Sequence, residues 1–241
     1  MIFRPSTLKE RERYYREEFN AKDAYSWFRK NKLPMPQLYA MDLGSETKII
    51  RDRKKIGEML NFMDGNIKKR LADSLPEDVY YDRNRYRNPK LALEKLDFKH
   101  AFSDPNFLGQ ELAFDVDANN FKCACKDVCE ICIGKAAKNS AKLAEKLESV
   151  FKRIGLVYSG RGIHLHVFDK KAFKLSIKER QEINKEMGHG IDPWVSRGRI
   201  RLIRLPYSLN AVVSRKVLPL TIEEALDFQS FMKKTFPRFL L

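Results

Sequence analysis

The sequence has no long hydrophobic run, since no apolar stretch approaches the about 18 residues that a membrane-spanning helix requires. Its first residues, MIFRPSTLKERERYYREEF, lack the continuous apolar segment of a secretory signal. Internal repeats and low-complexity linkers are also absent. These absences favour a protein of the cytosol or nucleus, with no membrane partner.

Cysteine is scarce, and all four cysteines lie within ten residues: Cys123, Cys125, Cys129 and Cys132. This spacing does not suit long-range disulfides, whereas four soft sulfur ligands can surround one tetrahedral zinc ion. Because protein ligands fill all four positions, we expect the zinc to be structural and not catalytic. A redox-active dithiol at Cys129 and Cys132 is the alternative, but it leaves the other two cysteines without a role.

Negative charge is in deficit, with 32 Asp and Glu against 47 Lys and Arg, which gives a formal net charge of +15. Such a surface attracts polyanions, so nucleic acid is the leading partner class. Ribosomal and membrane-surface proteins can be equally basic, and the charge identifies no site. The 241 residues are 43% hydrophobic, enough for one large domain over residues 1–241.

Hydrophobic periodicity and turn residues together predict an α+β chain. Helices are predicted over residues 8–30, 52–73, 134–154, 176–187 and 221–235, and strands over 111–116, 156–158, 163–168 and 199–205. Gly155 is expected to end the helix before it. From Val79, the stretch VYYDRNRYRNP combines three tyrosines with three arginines. It fits either a surface that grips nucleic acid or a solvated strand edge.

Two aspartates, Asp115 and Asp117, end the predicted strand in the motif FDVD. Residues two apart on a strand point to the same side, so the two carboxylates are presented together. They repel one another unless cations lie between them, and paired metal ions held by acidic groups are a standard device of phosphoryl transfer. A D-x-D motif also occurs often in turns without any metal, and this alternative stays open.

The motif SGRGIH, from Ser159 to His164, forms a tight turn that leads into a strand. In that strand His164 and His166 face the same side, opposite the apolar residues. Hydroxyl, guanidinium and imidazole groups together suit a triphosphate. Two alternatives remain, because the histidines could bind a metal or simply be held by hydrogen bonds within the fold.

A later segment, DPWVSRGRIRLIRLPYSLN, begins with the acid Asp192 and contains four arginines. The acid could complete a carboxylate triad while the arginines neutralise phosphates. The alternative is a charged strand with ordinary surface ion pairs of small energy.

Taken in order, four motifs resemble the small, catalytic subunit of archaeo-eukaryotic DNA primases. They are ELAFDVDAN, the cysteine cluster ending CKDVCEIC, VYSGRGIHLHV and DPWVSRGRIRLIRLPYSLN, and the resemblance touches most of residues 10–215. It implies an α+β primase catalytic core, with mixed β-sheets flanked by helices and a small zinc knuckle at residues 121–134. Asp192 follows His164 by only 28 positions, whereas many relatives have a helical insertion there, so the chain looks like a reduced core.

The resemblance also assigns roles to individual residues. It implies two Mg²⁺ or Mn²⁺ ions at Asp115, Asp117 and Asp192. The residues implied at the phosphates of the incoming nucleotide are Ser159, Arg161, His164, Arg204 and Asn210. Asn210 stands where the family often has histidine, although an amide can still donate a hydrogen bond. The implied structural zinc ligands are Cys123, Cys125, Cys129 and Cys132.

The implied function is synthesis of short primers from nucleoside triphosphates on a single-stranded DNA template. In the family this subunit works with a large subunit that contains an iron-sulfur cluster, here expected as a separate chain or a missing fusion segment. Two alternatives stay open. One is a primase-like polymerase that extends existing ends in repair or plasmid replication, and the other is a non-catalytic, zinc-containing nucleic-acid-binding protein.

Overall fold

The computed structural model describes residues 3–44, 60–95, 101–125, 128–188, 190–198 and 201–241. The helices are α1 Leu8–Arg13, α2 Ala21–Lys30, α3 Ile67–Ser74, α4 Pro89–Lys95, α5 Glu130–Glu148, α6 Ile177–Met187, α7 Pro193–Ser196, α8 Ile222–Leu226 and α9 Phe228–Met232. The strands are β1 Leu38–Asp42, β2 Leu60–Phe62, β3 Asp78–Asp82, β4 Asn84–Tyr86, β5 Phe107–Gln110, β6 Leu112–Asp117, β7 Ile154–Tyr158, β8 Gly162–Val167, β9 Leu202–Arg204, β10 Leu209–Asn210, β11 Arg215–Lys216 and β12 Leu218–Leu220. Within these described ranges, no helix is long and apolar enough to cross a membrane.

Two four-stranded sheets form the frame of the molecule. The central sheet has the strand order β12-β7-β8-β6, and the N-terminal sheet has the order β2-β1-β3-β9. Two short pairs, β4-β5 and β10-β11, lie beside them. The predicted α+β class is confirmed. Where the resemblance implied mixed sheets, every strand pair in the described residues is antiparallel.

The central sheet is buried on both faces, and each face belongs to a different apolar cluster. Phe114 and Leu165 point to the face that packs on α5, the 19-residue helix, and on α8 and α9. Ala113 and Val157 point to the opposite face and share a cluster with Tyr81 of the N-terminal sheet. The site residues of β6 and β8 alternate with the first group, so they lie on the second face.

Several predicted element boundaries are wrong. The predicted helix 8–30 is divided by a π-helical turn, Tyr14–Glu18, and by a new N-cap at Asn20, whose side chain accepts from Lys22 N. Of the predicted helix 52–73, residues 52–59 lie outside the described residues. Leu60–Phe62 is a strand, and the helix begins only at Ile67. Residues 199–200 of the strand predicted over 199–205 also lie outside the described part.

The long helix α5 begins and ends earlier than predicted, at Glu130 and Glu148. Gly155 does not end it. This glycine lies within β7, where a Cβ atom would come closer than 3.0 Å to the ring of Phe168. The predicted C-terminal helix 221–235 is divided at Asp227 into α8 and α9.

The basic aromatic stretch that starts at Val79 is neither of the two surfaces that the sequence allowed. It forms β3 and β4, and Tyr81, Asp82, Arg83 and Asn84 are each 2% exposed or less. Burial of these polar groups is offset by pairing, because Arg201 forms a buried ion pair with Asp82. Both surface interpretations are therefore wrong.

Candidate functional site

Strand β6 positions Asp115 and Asp117 at one end of the central sheet. The residues between and before them, Leu112, Phe114 and Val116, are buried toward α5. Successive strand residues point to opposite faces, so the two carboxylates share the face that meets the N-terminal sheet. This confirms that both side chains occupy one side of a strand end.

His164 stands directly opposite Asp115 in the pairing of β8 with β6. Its Nε2 atom lies 3.6 Å from Asp115 Oδ1, and its ring is buried. Burial, together with the neighbouring His166 and the charge of Arg204, lowers the pKa of His164 well below its ordinary value. The imidazole is therefore neutral at pH 7 and can donate one hydrogen bond and accept another.

His166, on the same face of β8, is held in the interior and does not line the site. Its Nδ1 lies 2.7 Å from Glu111 Oε1, and the hydroxyl of Tyr81 donates to Glu111 Oε2 at 2.7 Å. The ring of Phe168 stacks on the imidazole, and Trp27 contacts it edge-on. Of the alternatives that the sequence left open, a histidine fixed by hydrogen bonds describes His166.

Asp192 comes to the same place from a distant part of the chain. Its backbone N–H donates to the carbonyl oxygen of Asp115 at 2.8 Å. Its side chain caps α7, accepting from Trp194 N at 2.8 Å, and Pro193 occupies the first helical position, which needs no N–H donor. Asp117 likewise accepts from Asn119 N at 2.8 Å. Local N–H groups therefore fix the orientation of both carboxylates.

The three aspartates are coupled electrostatically. Burial, followed by the negative charges of Asp117 and Asp192, raises the pKa of Asp115 to about 7, although Arg204 and Arg83 oppose the rise. The Asp115 side chain keeps 27% of its surface exposed, so ions can reach it from solvent. A carboxyl group that ionises with difficulty beside two other acids fits a site for a divalent cation, whose charge relieves the repulsion.

The carboxylates do not form a closed cage. In the part of the chain that the structure describes, only the cysteines bring three or more Cys, His, Asp or Glu ligand atoms within 4.8 Å of one another. The three aspartates thus form an open, solvent-facing group. This arrangement suits an ion that also binds substrate oxygens and water, as Mg²⁺ commonly does.

The predicted phosphate-binding turn lies beside the aspartates, joining β7 to β8. Gly162 faces Asp117 in the strand pairing, and a Cβ there would come closer than 3.0 Å to the carbonyl oxygen of Val116. The hydroxyl of Ser159 is buried and bonds to Gly162 N and O at 3.2 and 3.1 Å. Arg161 is partly exposed at the tip of the turn.

Asn210 packs against the buried side of this turn. Its side-chain Nδ2 donates to the carbonyl oxygen of Ser159 at 2.9 Å, while its Oδ1 is buried without a hydrogen bond. Gly160 has a φ of +98°, and a Cβ at this residue would meet the Asn210 side chain at less than 3.0 Å. Asn210 and Ser159 therefore shape the turn from inside, and Arg161 is the side chain of the turn that faces solvent.

Arg204 projects from β9 of the N-terminal sheet. Its Nε and Nη2 atoms donate to the two carboxylate oxygens of Asp78, at 3.0 and 2.6 Å, and its guanidinium lies over the ring of Tyr80. Burial opposes its charge, but Asp78 and the more distant Asp115 leave its pKa raised overall. Arg204 is thus a fixed cation at the sheet junction, held by a bidentate pair.

Two buried residues of the site were missed by the sequence analysis. Arg83 donates to the carbonyl oxygens of Glu111 and Val195, each at 2.9 Å, and so ties the start of β6 to α7. Arg180 of α6 donates to Gln110 O at 2.5 Å from the other side. Both arginines lie in polar, charged stretches of sequence, so no local pattern singled them out, and their partners lie far away in sequence.

The four cysteines form a compact sulfur cluster at the start of α5. The Sγ atoms of Cys123 and Cys129 lie 3.4 Å apart, and those of Cys125 and Cys132 lie 3.8 Å apart. These separations exceed the roughly 2.05 Å of a disulfide. They are close to the about 3.8 Å between sulfurs that Zn–S bonds of about 2.3 Å give in a tetrahedron. The cluster is consistent with a zinc site.

The pKa of the Cys129 thiol supports metal binding. The backbone N–H of Cys132 donates to the Cys129 sulfur and lowers this pKa to about 7. The thiolate is the form that binds metal, so part of the ligand set is prepared near neutral pH.

Sequence comparisons place these residues in a family. A sequence model described as DNA primase small subunit matches residues 114–193. An uncharacterized DNA primase small subunit-like protein of Archaeoglobus fulgidus is 38% identical over 99% of this chain and 92% of that protein. The primase small subunit PriS of Methanobrevibacter smithii is 31% identical over 76% of this chain and 52% of its own length. The chain thus matches about half the length of that PriS protein.

A comparison of structures finds the same fold in a bacterial protein. The polymerase domain of ligase D from Mycobacterium tuberculosis, solved in complex with DNA, covers 95% of this chain with a TM-score of 0.51 and 13% sequence identity. At this identity the likeness concerns the fold alone. The match to the Archaeoglobus protein, over nearly the whole of both chains, gives the classification: the chain belongs to the DNA primase small subunit-like family.

Proposed function

We propose that this protein is a metal-dependent nucleotidyltransferase that makes short primers on a DNA template, as the catalytic subunit of a DNA primase. One observation carries the proposal: Asp115, Asp117 and Asp192 converge beside the Ser159–Gly162 turn, and the neutral His164 lies opposite Asp115 on the neighbouring strand. Acidic groups next to a cluster of cations and donors fit the chemistry of phosphoryl transfer.

The three aspartates are the proposed ligands of two Mg²⁺ or Mn²⁺ ions. Hard carboxylate oxygens are the ligands these ions prefer, and the raised pKa of Asp115 marks a place where positive charge is favourable. Bound there, the ions would supply a lowered pKa for the attacking 3′-hydroxyl and neutralise charge on the triphosphate. The local N–H bonds to Asp117 and Asp192 hold these two carboxylates in orientation before any ligand arrives.

The nucleotide is proposed to lie over the turn. Arg161 is the exposed cation there, and His164 can donate a hydrogen bond from a neutral ring. Ser159 and Asn210 would act through the shape of the turn, with backbone N–H groups and the glycines allowing close approach of phosphate. Arg204 would contribute positive potential from its fixed position.

The remaining parts of the proposal concern zinc, organisation and partners. Residues 121–134 would bind Zn²⁺ as a structural knuckle within a single catalytic domain that covers residues 1–241. Single-stranded DNA would be the template, because base pairing supplies the sequence and the protein needs only backbone contacts. A large subunit with an iron-sulfur cluster would be a separate chain or a fused segment.

A second candidate function is extension of existing ends. It is favoured by the fold shared with the ligase D polymerase domain. Priming and extension use the same chemistry, so the aspartates serve both. A non-catalytic zinc protein is the third possibility, and it requires DNA binding that is indifferent to Mg²⁺ and to the aspartates.

One experiment separates these functions. The full chain is incubated with Mn²⁺ and nucleotides on single-stranded DNA, and separately on a template with an annealed primer, using ribonucleotides and deoxyribonucleotides in parallel. A labelled dinucleotide from the first substrate supports a primase, whereas products from the second alone support an extending polymerase. Asp115→Asn should abolish both, and Asp73→Asn, an exposed site on α3, serves as the matched control. Synthesis by the Asp115 variant would refute the catalytic proposal.

A further inference from the structure

A cavity of about 530 Å³ opens on a side of the molecule that the site does not use. It lies where the short β4-β5 pair meets the segment that leads into α6. Its apolar walls include three phenylalanine rings and an exposed leucine, and two lysines stand at its edge. We call it the Phe102–Lys178 groove, formed by Phe102, Phe107, Leu108, Phe173, Lys174 and Lys178.

The charge of this groove is of one sign. Among the residues that the structure describes, Lys174 and Lys178 are the only ionisable ones that line it, both are exposed, and neither is paired with another described residue. The nearest acid in sequence, Glu179, is occupied because its carboxylate accepts from Ser176 N and Oγ, each at 2.7 Å. Two other cavities differ, since each mixes acidic with basic side chains. A polyanion therefore complements the charge of this groove better than a partner that is neutral or carries charges of both signs.

The apolar part of the groove is aromatic. The rings of Phe102 and Phe107 lie 4.8 Å apart at 42°, and both rings remain partly exposed. Leu108 beside them is 52% exposed. Aromatic and aliphatic surface left open to water is costly, at about 25 cal/mol per Å², and flat nucleobases can cover it by stacking. Unpaired lysines beside exposed rings are the usual combination for a single strand of nucleic acid.

The groove also lies close to the aspartates, because a short stretch of chain joins the two. Gly109, which lines it, precedes Asp115 by six residues across β5 and β6. At about 3.3 Å per residue these positions are at most about 20 Å apart. A single strand that keeps the stacked spacing of about 3.4 Å per nucleotide would span this distance with roughly six nucleotides, and an extended strand would need fewer.

We propose that the Phe102–Lys178 groove binds single-stranded nucleic acid, with bases against the phenylalanine rings and phosphates at Lys174 and Lys178. The proposal deepens the proposed function, because a template strand is the natural source of this ligand. Binding itself requires no metal, no nucleotide and none of the aspartates.

The test measures binding of the full chain to a mixed-sequence 20-nucleotide strand, as DNA and as RNA in separate arms, without divalent ions or nucleotides. The test variant is Lys174→Glu with Lys178→Glu. The matched control is Lys138→Glu with Lys142→Glu, which makes the same charge change at the same spacing on exposed positions of α5. We expect the groove variant to lose at least tenfold in affinity, and more than fivefold relative to the control.

The salt dependence gives a second reading of the same experiment. Loss of two phosphate contacts should reduce the slope of log affinity against log salt by about 1.4, since each contact to a single strand contributes about 0.7. An equal loss in both double variants would show diffuse attraction and overturn the proposal. Unchanged binding by the groove variant would also overturn it and would favour a protein partner for the groove.

Stacking is tested separately with Phe107→Leu, which keeps an apolar side chain but removes the ring, and with Phe62→Leu as an exposed control. Wild-type protein should bind the 20-nucleotide strand more tightly than a strand of abasic sites, and Phe107→Leu should reduce this preference. Asp115→Asn should bind as wild type does. If the groove binds nucleic acid but the protein incorporates no nucleotide, this proposal stands and the proposed function fails. Failure of groove binding and failure of catalysis are therefore distinguishable.

Discussion

The backbone N–H of Asp192 donates to the carbonyl oxygen of Asp115 at 2.8 Å, across 77 positions of sequence. This bond joins α7 to β6, and Arg83 reinforces the junction through Val195 and Glu111. The third acid of the candidate site is therefore fixed by main-chain geometry. Substitutions that change only its side-chain charge should leave the junction intact.

Asp115 should make stability depend on pH when no divalent ion is added. Its pKa of about 7 in the folded protein lies above the about 3.9 of an unfolded chain, so the folded state binds more protons between these values. Stability should then fall as pH rises from 5 to 7 and level off above 7. Asp115→Asn removes this contribution. The free energy of unfolding of the variant minus that of wild type should therefore increase by about 2 kcal/mol between pH 5 and pH 8.

Urea unfolding of both proteins at pH 5 and pH 8 measures this difference, because other titrating groups cancel between them. Parallel pH dependence in the two proteins would contradict the raised pKa. Added Mn²⁺ should stabilise wild type more at pH 8 than at pH 5, since binding requires the ionised carboxylate.

Removal of zinc should destabilise the start of α5. Cys129 caps this helix and Cys132 is buried in its first turn, so loss of the metal leaves thiols in place of a cross-link that joins four residues. We expect Cys132→Ser to lower the melting temperature by at least about 5 °C. Atomic absorption should show that the variant has lost the one zinc per chain. Stoichiometric zinc retained by this variant would refute the four-sulfur site.

The turn beside the aspartates should be intolerant of side chains at Gly160. Alanine there must adopt a φ of +98° and displace Asn210, so we expect a loss of about 2–4 kcal/mol in the free energy of unfolding. Adding Asn210→Ala removes the close contacts with Nδ2 and Cγ but keeps the one with Cβ at 2.7 Å, so it should restore only part of this loss, which a double-mutant cycle measures. Independent, additive effects would show that the two residues do not contact one another.

Arg83 should be essential for stability because it ties the start of β6 to α7. Replacement by methionine keeps much of the volume but removes two buried, charge-assisted hydrogen bonds, those to the carbonyl oxygens of Glu111 and Val195, at a cost of about 3 kcal/mol or more. Chemical denaturation tests this, with the exposed Arg16→Met as control. A loss below about 1 kcal/mol would contradict the cross-linking role.

Local pattern was enough to predict the parts of the site that lie on one strand. Alternation of apolar residues indicated that Asp115 and Asp117 share a face, and the close spacing of the cysteines indicated one cluster. For Asp192 the sequence left two interpretations open, a third carboxylate of the site or ordinary surface ion pairs, and only the family resemblance favoured the first, because no local pattern reports a bond between residues so far apart.

Other features depended on contacts that the sequence does not display. The arginines of the segment before Pro206 read as phosphate ligands, yet Arg204 and Arg201 are bound to Asp78 and Asp82 in β3. These pairings across the N-terminal sheet also explain why the tyrosine- and arginine-rich stretch is buried. Gly155 read as a helix stop, whereas its small size accommodates the Phe168 ring.

The central claim is that three aspartates together hold divalent cations, and titration with Mn²⁺ followed by electron paramagnetic resonance tests it most directly. Measured on the zinc-loaded full chain at pH 8, wild type should bind Mn²⁺. Each of Asp115→Asn, Asp117→Asn and Asp192→Asn should weaken this binding at least tenfold, while Asp73→Asn leaves it unchanged. Equal Mn²⁺ affinity in wild type and all three site variants would contradict the claim.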